Sequence, residues 1–229
     1  FLPITLVIYY LVGKPFRNFF LLLASLCFYA WGEGAYLLLM LASIVLNYIV
    51  GLFLSRANTQ QSRRMYLVTG VILNLSIFGF FKYANWLVDI FAGIIPNLTA
   101  TDILASPIHL PIGISFFTFQ AMSYIIDVYR NETDSQKNPF HLGLYIASFP
   151  QLIAGPIVRY NQVADQIIHR KHSFTLFASG VERFVIGLSK KVIIANPMAA
   201  MADRIFAVDY TQLSPELAWL GVVCYMLQI

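Results

Sequence analysis

Apolar residues run in blocks of twelve to twenty along this chain, and polar residues gather in short intervals between them. Spanning a hydrocarbon layer takes about 20 apolar residues as a helix. Phe1 to Val12, Phe19 to Trp31, Ala35 to Leu54, Met65 to Phe81 and Ile112 to Tyr129 read as such segments. Gly32, Glu33 and Gly34 end the second. Trp86 to Ile95 is too short and too polar to cross, so it is expected along an interface. Ser173 to Phe206 mixes Glu182, Arg183, Lys190, Lys191, Asp203 and Arg204 with apolar residues. That pattern predicts an in-plane amphipathic helix, broken near Pro197.

Charge orients these segments. The loop Ser55 to Arg64 carries Arg56, Arg63 and Arg64, whereas Pro96 to Pro111 has no Lys or Arg. The positive-inside rule puts the first in the cytoplasm and the second outside. Arg130 to Asn138 then falls in the cytoplasm, as its Arg130 and Lys137 require. If Phe140 to Val158 were a plain span, the next loop would be outside, yet it holds Arg159, Arg170 and Lys171. A re-entrant hairpin repairs the count: it enters from the cytoplasm, breaks at Pro150 or at Gly155 and Pro156, and returns. Irregular backbone at membrane depth must be buried in protein or line a wet cavity, so a cavity is expected there.

Composition agrees with membrane. The chain is 59% hydrophobic and 11% charged, against about a quarter charged in soluble domains. The net charge of +4 comes from cations between the apolar runs, and no block is long enough for a nucleic-acid patch. Cys27 and Cys224 lie in apolar runs, where a small hydrophobic role is the plain reading. The chain opens on Phe1 without a methionine and stops inside an apolar run, so a fragment of a longer protein is expected. The fold class is all-α: a polytopic transmembrane helical bundle with a re-entrant hairpin and cytoplasmic amphipathic helices. Residues 1–229 are read as part of one membrane domain.

Candidate chemistry is sparse. Gln120, Tyr124 and Asp127 share one helix face; Gln120 reads as lining a cavity or bonding between helices, and Asp127 as paired near the helix end. Asn47 and Asn74 read as interhelical hydrogen bonders. Asp165, His169 and His172 are spaced too loosely, with Arg170 and Lys171 among them, so no metal is expected. Phosphate-loop, dinucleotide and nucleophile-elbow motifs are missing. The residues alone leave a membrane transporter and a membrane-embedded transferase both open.

Four ordered stretches narrow this: LLLASLCFYAWGEGAYLLLMLASIVLNYIVGL, LPIGISFFTFQAMSYIIDVYR, SFPQLIAGPIVRYNQ and ERFVIGLSKKVIIAN. They resemble the N-terminal half of the membrane-bound O-acyltransferase family, in its bacterial alginate O-acetylation branch. The resemblance implies transfer of acetyl from a cytoplasmic donor, acetyl-CoA or similar, to hydroxyls of an extracytoplasmic polysaccharide through a tunnel. The implied home is the bacterial inner membrane, with multiple passes and an extracytoplasmic acetyl-transfer partner protein. No bound cofactor and no nucleic acid are implied.

The family's catalytic histidine belongs to a Trp- and Arg-rich stretch expected beyond Ile229, and none of His109, His141, His169 or His172 matches it. The fragment alone is expected to be inactive. Pro150, Gln151, Gly155, Pro156 and Arg159 match the family's hairpin stretch. They are assigned to shaping or lining the tunnel, with Gln120 and Tyr124 alongside. Arg159, Lys190 and Lys191 suit either the phosphates of the donor or anionic lipid headgroups. A transporter or flippase for an envelope glycan or lipid is the alternative, and a non-catalytic scaffold is the third.

Overall fold

The computed structural model describes residues 1–94, 106–152, 155–156, 158–209 and 213–229. All regular structure among them is helical, and three helical stretches are long and apolar enough to cross a membrane: Lys14–Arg56, Gln60–Ile94 and Phe174–Phe206. The all-α, membrane-type bundle expected from the apolar blocks is therefore observed. The described residues form two compact units, 1–170 and 171–229.

In the first unit, α1 (Leu2–Leu11), α2 (Arg17–Glu33), α3 (Leu37–Arg56) and α5 (Ile114–Tyr129) follow the predicted segments within a few residues. Helix α4 (Gln60–Ile94) does not. It runs unbroken through Lys82 into the stretch expected to lie apart along an interface. No proline interrupts it, and at 35 residues it is roughly 50 Å long. Residues 95–105, which include most of the loop without Lys or Arg, lie outside the described residues.

Helices α3, α4 and α5 pack together around Met40, Leu54, Phe117, Ala121 and Ile125, all buried. Lipid tails are as apolar as these side chains, so close fit rather than transfer from water holds such helices together. Two features allow the fit. A Cβ on Gly51 would collide with the Tyr124 ring, and one on Gly70 would come within 2.9 Å of Val50. Asn47 and Asn74 bond each other reciprocally at 3.0 and 2.9 Å. Their remaining amide hydrogens go to the carbonyls of Ser43 and Gly70, both at 2.8 Å, so a buried polar pair is fully satisfied.

The arginine loop and the Arg130 loop meet at one end of this unit. Arg63 donates to the carbonyls of Val128 (3.1 Å) and Tyr129 (2.9 Å) and to Asn131 Oδ1 (2.7 Å), closing the C-terminus of α5. Asn131 takes the left-handed conformation, φ 59°, common just past a helix end. That the two basic loops share one end is what the charge count required.

Helices α6 (Pro139–Ala147), α7 (Phe149–Leu152) and α8 (Tyr160–Ile168) follow, and none is long enough to cross. The path from 139 to 159 starts and finishes at the basic end. Before it, Lys137 accepts from the Tyr48 hydroxyl at 2.8 Å; after it, Tyr160 accepts from Gln136 Nε2 at 2.9 Å, and Asn161 Nδ2 reaches Glu132 at 3.2 Å. Its far point touches the opposite end of α5, where a Cβ on Gly113 would sit 2.7 Å from the Leu152 carbonyl. The first break falls at Ser148, two residues ahead of Pro150. A helix continued through Pro150 would press its ring against the Ile146 carbonyl, so the chain turns off earlier.

In the second unit, α9 (Phe174–Lys190) begins at a Ser173 cap that accepts from Leu176 N at 3.1 Å. The break expected near Pro197 is absent. A π-helical turn over Lys191–Ala195 joins α9 to α10 (Asn196–Phe206) without interruption. The widened turn accommodates the proline, placed in the first turn of α10, where its missing N–H costs least. Helix α11 (Pro215–Gln228) packs on α10 through Gly221, beside Ile205 and Phe206. Cys224 is buried there as an apolar residue.

Candidate functional site: the broken hairpin and its cavity

The last carbonyls of α6 have no partner within the helix. Once Ser148 turns away, the Tyr145 carbonyl is met by two side-chain amides instead: Gln120 Nε2 from α5 at 2.6 Å and Gln151 Nε2 from α7 at 3.0 Å. The freed N–H of Phe149 donates to Ser25 Oγ of α2 at 3.3 Å. The Tyr145 hydroxyl donates to the Val158 carbonyl at 2.7 Å, tying the outgoing limb to the returning one. A Cβ on Gly155 would come within 2.8 Å of the Gln151 backbone, so the turn closes over α7.

Three tyrosines brace the base. The rings of Tyr124 and Tyr145 each lie 5.0 Å from that of Tyr160, edge on. Tyr124 accepts from Gln136 N at 3.0 Å. Burial pushes the Tyr160 phenol up, against the lowering effect of its Gln136 bond. Asp127, at the same end, has its carboxylate at the N-terminus of α8, 3.5 Å from Asn161 N.

Against this hairpin lies a cavity of about 310 Å³, walled by α1, α2, α6, α7 and α8. Leu2, Leu6, Leu21, Leu144 and Val163 give it apolar walls, and Ser25, Ser148, Gln151, Gln166 and Arg170 give it polar points. It runs from Pro150 and Gln151 toward the basic end, where Arg170 donates to the Tyr9 hydroxyl at 3.0 Å and Asn18 Nδ2 to the Ile167 carbonyl at 2.7 Å. Such a chamber has space for a small polar molecule inside an apolar bundle.

Of the residues singled out from sequence, Pro150 and Gln151 line this cavity. Gln120 and Tyr124 are buried beside it, with their polar atoms turned to backbone. Gly155 lies in the turn, half-buried, and Pro156 and Arg159 are exposed. Lys190 and Lys191 are exposed at the end of α9 in the second unit. Asp165 and His169 pair with each other at 2.8 Å on the open face of α8. Sequence reasoning missed Ser25, Tyr145 and Arg170; for Ser25 the signal was present, because Ser25, Tyr29 and Glu33 recur at helical spacing.

The fold and site define a membrane-type helical bundle with a broken hairpin beside a half-open cavity. Comparison with known proteins shows what it is similar to. The chain is 43% identical over 230 residues to "Probable alginate O-acetylase AlgI" of Pseudomonas aeruginosa, covering 100% of this chain and 44% of that protein. It is 42% identical to the protein of the same name from Azotobacter vinelandii, covering 46% of it. It is 34% identical over 262 residues to the "Peptidoglycan O-acetyltransferase" of Helicobacter pylori, covering 49% of that protein. No family model and no solved structure matches. The chain thus spans under half the length of these relatives, and the resemblance to the alginate O-acetylation branch of the membrane-bound O-acyltransferases is borne out along all of it.

Proposed function

We propose that this chain forms part of a membrane O-acetyltransferase, moving acetyl from a cytoplasmic donor such as acetyl-CoA to hydroxyls of a polysaccharide outside. The observation that carries the reading is the similarity, along the whole of this chain, to under half the length of relatives whose names state O-acetylation of alginate or of peptidoglycan. The hairpin cavity supports it physically. Donor and acceptor on opposite faces need a polar passage, and broken backbone is stable at membrane depth only where it is buried or borders such a space. The basic end then faces the cytoplasm, in a multi-pass protein of the bacterial inner membrane.

In this reading Pro150, Gly155 and Pro156 shape the passage and Gln151 lines it, while Gln120 and Tyr124 hold its wall. Arg159, Lys190 and Lys191 meet donor phosphates or anionic headgroups. A histidine outside these residues acts as general base on the acceptor hydroxyl, a role for which imidazole is suited near neutral pH. An extracytoplasmic partner protein takes part in delivery. The test is acetyl transfer to polysaccharide by the full-length protein with each histidine outside 1–229 replaced in turn. Abolished transfer at one position, with unchanged expression, is the expected result. Transfer unaffected by all replacements would sink the mechanism.

A further inference from the structure

The cavity beside the hairpin reaches the basic end at Arg170, which lines it. There Arg170 Nη1 donates to the Tyr9 hydroxyl at 3.0 Å, and its guanidinium carbon stands 5.7 Å from the centre of the Tyr9 ring. Arg17, the first residue of α2, brings a second guanidinium to 5.0 Å from the centre of the same ring. It donates from Nε to the Val12 carbonyl at 3.2 Å, with Nη2 3.5 Å from the Tyr10 carbonyl. Tyr9 is buried, and both arginines are half-buried. Neither arginine pairs with a carboxylate among the described residues of the first unit. Glu33 meets His109, Glu132 meets Arg130, and Asp165, just before Arg170 in the chain, is taken by His169 at 2.8 Å.

Two like charges gathered on one phenol ring repel each other, and partial burial sharpens the repulsion. The other arginines of that end are placed differently. Arg63 is spent on the groups that close α5, Arg130 has Glu132, and Arg56, Arg64 and Arg159 are exposed. A guanidinium carries five N–H groups. Arg17 spends two here and Arg170 one, so most of both forks has no acceptor in this unit among the described residues. Such planar forks match the oxygens of a phosphate. The space behind them suits an attached arm. Leu6, Leu21 and Val163 wall the cavity, while the hydroxyls of Thr5 and Ser25 and the amide of Gln151 already donate to the carbonyls of Phe1, Leu21 and Tyr145. The strongest unmet donors on this cavity therefore stand at its basic end.

We propose that Arg17 and Arg170, ordered by the Tyr9 ring, seat a phosphate group at the basic-end mouth of the cavity, with the ligand's arm running toward the hairpin break. Phosphate is carried by a soluble ester such as coenzyme A or by the headgroup of an anionic lipid, and the seat as such does not depend on the transferase reading. The test uses the full-length protein in nanodiscs and measures binding, not transfer. Coenzyme A is titrated by calorimetry in phosphatidylcholine discs, and phosphatidylglycerol retention is read by native mass spectrometry from mixed discs. Arg17→Gln and Arg170→Gln are each expected to weaken binding of a probe about tenfold, the loss of a charge-assisted hydrogen bond. Arg64→Gln, an exposed and screened cation at the same end, is expected to change neither probe by more than about twofold. Weakened coenzyme A binding alone assigns a soluble ester, weakened lipid retention alone a headgroup, and weakening of both a seat that either fills; each upholds the seat. Both probes unchanged in either variant, an equal loss in Arg64→Gln, or a wild type that binds neither probe overturns it. Should a variant not fold, phenylglyoxal labelling of the wild type decides. Protection of Arg17 and Arg170 by a probe, with Arg64 still labelled, upholds the seat; no protection, or equal protection by pantetheine, which has the arm without the phosphate, overturns it. The transferase reading is decided separately by the histidine replacements, so either can fail alone.

Discussion

Two glutamines share one carbonyl at the top of α6, and that arrangement makes a sharp energetic prediction. The Tyr145 carbonyl lost its helical partner when Ser148 turned the chain, and it accepts from Gln120 at 2.6 Å and Gln151 at 3.0 Å. Replacing one glutamine by methionine keeps most of the volume and removes one of two donors. The carbonyl stays satisfied, so the cost is that of one ordinary hydrogen bond, about 0.5–1.5 kcal/mol; polar contacts inside membrane proteins average ~0.6 kcal/mol. Replacing both leaves a buried carbonyl with nothing, and desolvation then adds about 1–3 kcal/mol. The double variant is therefore expected to lose more than the sum of the singles, by ~1 kcal/mol or more.

The measurement is unfolding of the purified protein by SDS in mixed micelles, with the four proteins of the cycle compared at fixed lipid content. The shorter bond and deeper burial of Gln120 predict that Gln120→Met costs more than Gln151→Met. Additive losses would refute the reasoning, because they would mean that another donor satisfies Tyr145 when both amides are gone. A larger loss in Gln151→Met than in Gln120→Met would equally refute the ranking.

Asn47→Leu alone strands the Asn74 amide in the core and is expected to cost about 1–3 kcal/mol, whereas Asn47→Leu with Asn74→Leu recovers much of it; the same SDS unfolding checks both. Gly113→Ala forces an alanine to φ +76° and a Cβ to 2.7 Å from the Leu152 carbonyl. About 1–2 kcal/mol of backbone strain plus displacement of α7 follows, seen as faster proteolysis of the hairpin. A cysteine at Asn161, in a version otherwise free of Cys27 and Cys224, is expected to react with an impermeant maleimide only from the cytoplasmic side; labelling from outside would refute the re-entrant path.

Much of the fold was legible because membrane imposes few rules and they are strict. Apolar length located α1, α2, α3 and α5, and the arginines at 56, 63, 130 and 159 forced an excursion that returns to its own side. Local rules failed at two places. Lys82 and the polar residues after it suggested an interface where α4 simply continues, since a helix needs a breaker to stop and none is there. Pro197 suggested a break that a π turn absorbs, an outcome decided by how the preceding turn can widen.

What the sequence could not show is which side chain answers which orphan. Breakers in SFPQLIAGPIVRYNQ told where backbone groups would be freed, but their partners come from far along the chain: Ser25 lies 124 residues from Phe149, and Gln120 lies 25 from Tyr145. Those pairings depend on helix rotation and depth, which periodicity leaves open to within a residue or so on either side of a face. The same dependence explains why the row Ser25, Tyr29 and Glu33, visible at helical spacing, could not be pointed at the hairpin from sequence. Only when α2 is seen to bury that face do a serine bonded to Phe149 N, a phenol with no partner among the described residues and a carboxylate held by a surface histidine become one line of groups, leading from the hairpin cavity to the opposite face.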